Sequence, residues 1–269
     1  MSLEPLLIVE LLVLGLCTGF LAGLLGIGGG MIMVPFLTYI MTARGASPDL
    51  AVKMAIATSM STIIFTSISS VRAHHKRGAV RWEIVKGLAP GIVLGAVIAS
   101  MGVFAVLKGS LLAVFFALFV SFSATQMFLD KKPAASRQMP GFGGQLTGGG
   151  VIGFLSGLVG AGGGFVSVPF MTWCNVPIHN AVATSAALGF PIAVFNTVGY
   201  VFAGQSQSAL PEGSWGYVWI PALLVIASSS VFMAPLGAKA AHALPIQQLK
   251  RVFASVLYVL AAYLSLIHI

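Results

Sequence analysis

Helix-breaking residues occur twice, in register, inside an otherwise apolar chain. Gly19–Tyr39 reads GFLAGLLGIGGGMIMVPFLTY, and Gly153–Trp173 reads GFLSGLVGAGGGFVSVPFMTW. At a constant offset of 134, 13 of the 21 positions are identical. The shared set includes Gly26, Gly28, Gly29, Gly30 and Pro35, matched by Gly160, Gly162, Gly163, Gly164 and Pro169. Glycine permits positive φ and close backbone approach, and an interior proline removes a helical hydrogen bond. Such breaks, kept twice, predict a duplicated protein with one broken segment per half. In membrane transporters, paired interruptions of this kind are the best sequence pointer to a substrate site.

The apolar background is that of a membrane protein. Of 269 residues, 58% are hydrophobic and only 7% are charged, with mean hydropathy +1.00. Soluble domains carry roughly 25% charged residues, so a water-facing surface cannot be built from this chain. Stretches of about 20 apolar residues recur, each long enough to cross roughly 30 Å of hydrocarbon. The net charge of +8 does not point to nucleic acid, because the basic residues sit in short loops between spans. The N-terminus lacks a basic start and a small-residue cleavage site, so it reads as a first span and not a signal peptide. Cys17 and Cys174 are not at corresponding positions and form no CxxC pair, so they read as packing residues.

The predicted fold is an all-α polytopic membrane protein of two inverted repeats, with about five helical segments in each. The first repeat covers 1–130, with segments near 5–26, 30–42, 51–71, 82–106 and 110–129. A cytoplasmic linker covers 131–144. The second repeat covers 145–269, with segments near 145–161, 164–175, 180–203, 215–237 and 246–267. Ala57-Thr58-Ser59 corresponds to Ala183-Thr184-Ser185 at offset 126. Pro90 is paired with Pro221 at offset 131. The short second segment of each half, with its preceding glycines, reads as one arm of a helical hairpin. Its irregular tip is tolerated inside a membrane only where it is buried in protein or lines a cavity. Trp82, Trp173, Trp215 and Trp219 fall near segment ends and read as an aromatic belt.

Charge sets the expected topology. If each hairpin returns to its starting side, each half makes an odd number of passes. With the loop 72–81 inside, Arg72, Lys76, Arg77, Arg81, Lys86, Lys131, Lys132, Arg137, Lys239, Lys250 and Arg251 are cytoplasmic. Arg44, Lys53 and Lys108 are outside, an 11-to-3 split. Counting the hairpin as one pass gives 8 to 6, so the positive-inside rule favours the odd scheme. An odd repeat inserts its second copy upside down, and both termini then face outward.

Two sets of polar groups could meet a substrate. Gly28, Gly29 and Gly30, with Gly162, Gly163 and Gly164, precede short helices, whose free N–H groups and positive dipole ends suit an anion. Close helix packing through small residues is the alternative, and Gly15, Gly19 and Gly23 fit it. A nucleotide loop does not fit, because Met31 and Phe165 stand where the third glycine belongs. The second set is the hydroxyls of the third segments. Thr58 and Ser59 are repeated as Thr184 and Ser185, and Asn196 adds an amide. Neutral donors of this kind suit an oxyanion that must be released again. Most other hydroxyls there, Ser61 to Ser70 among them, read as bonded to a carbonyl one turn earlier. Carboxylates in the spans are scarce, with Glu10 well inside one, which argues against a cation relay. His74 and His75 read as loop residues and not metal ligands. The sequence presents no nucleophile–base pair, metal cluster or cofactor motif, so neither catalysis nor a cofactor is expected.

These motifs resemble the sulfite exporter TauE/SafE family. The resemblance rests on the two glycine blocks, on ATSMSTIIFTSISSVRAHHKRGAVRW and on AVATSAALGFPIAVFNTVGY. It implies a small inner-membrane transporter of sulfur-containing oxyanions, such as sulfite, thiosulfate or organosulfonates. The expected partners are a small sulfur-containing anion and the lipid bilayer, with homo-oligomerisation left open. An exporter or facilitator working by alternating access is the leading expectation. A channel-like conduit for small anions, or an importer of the same substrates, shares the same features.

Overall fold

The computed structural model describes residues 4–26, 28–129, 138–207, 210–241 and 243, with 255 and 258. Helix α1 (Pro5–Leu25) begins with proline in its first turn, where no N–H partner is lost. It stops at Gly26, whose φ is 68° and whose N–H donates to the Ala22 carbonyl at 3.0 Å. Helix α2 (Gly30–Ala43) starts after Gly29 and ends at Arg44. Arg44 lies 3.5 Å from Glu4, just ahead of α1. The two outer ends therefore meet, and α1 and α2 form a hairpin.

Helix α3 (Pro48–His75) has Asp49 in its first turn and Arg72, His74 and His75 in its last, as the helix dipole favours. Helix α4 (Trp82–Val97) runs through a π-helical stretch, Ile98–Val103, into α5 (Phe104–Val106). Helix α6 (Gly109–Leu129) starts beside the start of α3, where the Ser110 N–H donates to Asp49 at 2.6 Å.

The second half follows the same order: α7 (Phe142–Val159), α8 (Gly164–Trp173) and α9 (Ile178–Gly204). A small antiparallel hairpin of β1 (Ser214–Trp215) and β2 (Val218–Trp219) then leads into α10 (Ile220–Ala240). Seven helices are long and apolar enough to cross a membrane among the described residues, with α4 to α5 counted as one. The expected last segment, 246–267, apart from residues 255 and 258, and residues 131–137 of the expected linker lie outside the described residues.

Three sequence expectations change. Residues 214–219 are extended, so the fourth span of the second half begins at Ile220 and not near 215. Pro221 lies in the first turn of α10, whereas Pro90 lies inside α4, so the two prolines are not counterparts. Both suit helices, but for different reasons: one loses no hydrogen bond and the other interrupts the ladder. Trp219 is fully buried and belongs to the core, not to an aromatic belt.

Helices α3 and α9 form the centre. Of their most apolar windows, 72% and 56% of residues are buried, against 39–44% for the other spans. Around them, small residues bring helices into backbone contact. A Cβ on Gly19 would lie 2.4 Å from the Ser230 carbonyl oxygen, and one on Gly23 1.9 Å from that of Ala234. A Cβ on Gly149 would lie 2.2 Å from the Leu88 oxygen, and one on Gly153 2.3 Å from that of Ile92. Along both pairs the residue numbers rise together, so α1 runs parallel to α10 and α7 parallel to α4. Without a hydrophobic drive between helices in lipid, such close van der Waals approach is what holds them together.

Candidate functional site

The two glycine breaks meet each other. A Cβ on Gly28 would lie 2.9 Å from the Gly162 Cα. Gly29 and Gly163 cap α2 and α8 with φ of 74° and 79°, the left-handed region that side chains resist. A Cβ on Gly30 would lie 2.0 Å from the Gly160 carbonyl oxygen. The first turns of α2 and α8 leave backbone N–H groups without an intrahelical acceptor, and Gly164 starts α8 as Gly30 starts α2.

Around this contact the hydrogen bonds come in matched pairs. Ser59 Oγ donates to the Gly160 carbonyl at 3.0 Å, and Ser185 Oγ donates to the Gly26 carbonyl at 2.9 Å. Ser185 and Gly26 are the repeat counterparts of Ser59 and Gly160. Thr58 Oγ1 accepts from the Trp219 N–H at 3.0 Å, and Thr184 Oγ1 accepts from the Arg81 N–H at 3.0 Å. Trp219 and Arg81 each stand immediately before a helix, α10 and α4 respectively. His74 Nε2 donates to the Gly23 carbonyl at 3.1 Å, and Tyr200 Oη donates to the Gly157 carbonyl. His74 and Tyr200 share the offset of 126, and Gly23 and Gly157 share 134.

All four Thr-Ser hydroxyls are thus bonded to backbone across the halves, and all four residues are fully buried. An unpaired backbone carbonyl in this setting costs several kcal/mol, which explains why a hydroxyl recurs at each glycine-capped helix end. One asymmetry adds Ser167, whose Oγ donates to Ser185 Oγ at 2.8 Å.

Beside the Gly28–Gly162 contact is a cavity of about 10 Å³, room for roughly one water. Its lining includes Gly26, Gly28, Gly162, Thr66, Ser67 and Ser70. The pairs Thr58-Ser59 and Thr184-Ser185 do not line it. Thr66 Oγ1 donates to the Thr62 carbonyl at 3.1 Å, and Ser67 Oγ to that of Ile64 at 3.0 Å. Ser70 Oγ is buried without a partner among the described residues. The counterpart of Ser70 at offset 126 is Asn196, whose Oδ1 is likewise buried and unpartnered while its Nδ2 donates to the Ile192 carbonyl at 2.9 Å. Sequence reasoning treated Ser70 as one hydroxyl among many. The spacing Ile63, Thr66, Ser67, Ser70 puts four lining residues on one helix face, which is the signal that finds them. Both capping glycines are closely packed: a Cβ on Gly163 would lie 2.5 Å from Ile192 Cδ1, and one on Gly29 2.6 Å from the Thr18 carbonyl oxygen.

Neither Cys17 nor Cys174 is in a disulfide. Among the described residues no group of three or more His, Cys, Asp or Glu side chains is placed to hold a metal. The arrangement is a backbone-rich, neutral, hydroxyl-lined break between two half-structures. Its polar groups are backbone and hydroxyl, and no charged side chain among the described residues lines the cavity.

Comparison with known proteins agrees on class. A family model described as "Sulfite exporter TauE/SafE" matches residues 11–264. A Haemophilus influenzae protein named "Probable membrane transporter protein" is 37% identical over 251 residues, 93% of this chain and 95% of that one. A Methanocaldococcus jannaschii protein of the same description is 29% identical over 272 residues, 99% of this chain and 98% of that one. A third, from Bacillus subtilis, is 29% identical over 237 residues, 77% and 84% of the two chains. No solved structure matches.

Proposed function

This chain belongs to the sulfite exporter TauE/SafE family and is a multi-pass membrane transporter, and we propose that it carries a sulfur-containing oxyanion, such as sulfite or an organosulfonate, outward across the membrane. The observation that carries this reading is the contact of Gly28 with Gly162 beside a hydroxyl-lined cavity, ringed by matched hydrogen bonds.

The two halves act as inverted copies. Three facts support this. Glu4, Arg44, Asp49 and Ser110 gather at one end of the bundle. Asn180, at the start of α9, instead bonds the Ala79 carbonyl at 2.9 Å, beyond the far end of α3. And α1 runs parallel to α10 as its counterpart α7 runs parallel to α4, the counterpart of α10. On this reading each half starts from the opposite side, and the charge count puts the loop 72–81 in the cytoplasm and both termini outside.

The anion is met by backbone N–H groups at Gly28, Gly29 and Gly30 and at Gly162, Gly163 and Gly164. Ser70 supplies an uncommitted hydroxyl donor; the uncommitted atom of its counterpart Asn196 is Oδ1, an acceptor, so Asn196 meets an anion only through the second hydrogen of Nδ2. Thr58, Ser59, Thr184 and Ser185 hold the breaks in place through the bonds described above. The cavity holds about one water, so substrate enters only when α3 and α9 part. Export of an anion on an inside-negative potential is downhill by about 2.3 kcal/mol per charge per 100 mV, so no carboxylate relay is needed.

The test is efflux of sulfite or sulfoacetate from proteoliposomes at a set potential. Saturable, counterflow-competent efflux is expected; unsaturable flux identifies a conduit, and potential-opposed uptake an importer. A Thr58→Val, Thr184→Val double variant is expected to lose efflux. Unaltered efflux in it shows that the bonds to the Trp219 and Arg81 N–H groups are not needed to hold the breaks in place.

A further inference from the structure

We propose that the groove between the far end of α3 and the outer face of α10 binds the headgroup of an anionic phospholipid. The groove has a volume of about 550 Å³. Arg72, Lys76 and Arg77 line one end, and Phe65, Ile68 and Pro235 line the rest. Its floor is fixed: Ser69 Oγ donates to the Val231 carbonyl at 2.7 Å, and Arg77 Nη1 to the Ala238 carbonyl at 2.9 Å. Arg72 and Lys76 are exposed, and neither makes an ion pair among the described residues. A cationic end continuous with an apolar trough, at the end of membrane-spanning helices, matches a phosphate headgroup with its acyl chain below.

The repeat supplies an internal control. At offset 126, Ser69, Arg72 and Lys76 correspond to Phe195, Val198 and Phe202. Those three are exposed and apolar on the corresponding face of α9. The last turn of α9 carries no basic residue, whereas that of α3 does. The helix dipole therefore does not demand cations here; the positive-inside rule accounts for their being at this end of α3 and not at that of α9, and the groove gathers three of them at the end of one apolar trough. The groove also faces away from the cavity, since its α3 residues are Phe65, Ile68, Ser69 and Arg72 and those of the cavity are Thr66, Ser67 and Ser70. It is therefore not a vestibule for transported anion, and the inference stands apart from the substrate reading.

The experiment is native mass spectrometry of the full chain in detergent, titrated with phosphatidylglycerol or with phosphatidylcholine of the same acyl chains. Wild type is expected to retain phosphatidylglycerol preferentially. Each of Arg72→Gln and Lys76→Gln is expected to weaken that binding about fivefold, and the double variant roughly 25-fold. Lys76→Arg is expected to keep it. Equal retention of the two lipids by wild type, or unchanged phosphatidylglycerol binding in the double variant, overturns the proposal. Displacement of the lipid by millimolar inorganic phosphate also overturns it, in favour of a free-anion site. Thermal melting of each variant guards against misfolding. If the double variant does not fold, the single variants and the wild-type lipid preference decide.

Discussion

Replacing Gly28 with alanine adds one methyl group where the two breaks touch. Two costs follow. Gly28 has φ 76°, and an L side chain there costs about 1–2 kcal/mol. The methyl would also lie 2.9 Å from the Gly162 Cα and 3.2 Å from Ile63 Cδ1, an overpacking that costs roughly 1–3 kcal/mol. Gly78 separates the two terms, because its φ is 64° but a Cβ there has nothing within 4 Å. Gly78→Ala should therefore carry the backbone cost alone. In thermal unfolding, Gly28→Ala should melt lower than Gly78→Ala by about 3–9 °C, at roughly 3 °C per kcal/mol for a chain of this length. In the efflux assay the gap should be wider. The added methyl takes the space of a cavity of about 10 Å³, so Gly28→Ala should lose more than about tenfold in rate while Gly78→Ala stays near wild type. Matched melting temperatures together with full transport in Gly28→Ala would refute the reasoning, because the breaks could not then be in contact.

Further expectations follow from the same contacts. Ser59→Ala should cost about 0.6–1.7 kcal/mol by loss of one interhelical hydrogen bond, and Ser185→Ala more, because it loses Ser167 as well as Gly26; the reverse order in thermal unfolding contradicts the assignment. Gly23→Ala should destabilise by roughly 1–3 kcal/mol, since its Cβ would lie 1.9 Å from the Ala234 oxygen, whereas Gly102→Ala, with nothing within 4 Å, should be neutral or stabilising. Equal effects would mean that α1 does not lie against α10. Glu4→Gln should cost less than about 1 kcal/mol, because the glutamate side chain is 61% exposed; a loss of several kcal/mol would show that this pair closes the hairpin.

Much of the architecture was legible because a membrane simplifies the reading. Every backbone polar group in lipid must be bonded within its own helix, so apolar run length alone marks the spans. The breaks were legible because only glycine tolerates the positive φ at Gly29 and Gly163. The hairpin before α10 was not, because Trp215, Tyr217, Val218 and Trp219 run into the span with no charged residue between, and only the pairing of β1 with β2 separates the two. The Thr-Ser pairs were visible as repeated residues, but their partners were not. Ser59 reaches Gly160 across 101 positions, and Ser185 reaches Gly26 across 159. Nothing in local spacing could distinguish a hydroxyl that meets a substrate from one that caps a distant carbonyl.

The amino-acid sequence by itself determined that this chain is a duplicated, helical membrane protein broken at two glycine blocks, since composition, run length and backbone freedom are local properties. Tertiary structure alone decided that the breaks touch each other, that the predicted hydroxyls are already engaged, and that Ser70 and Asn196 are left with uncommitted polar atoms. Those outcomes depend on which distant backbone groups come within hydrogen-bonding reach, and distance in space is not written in the order of residues.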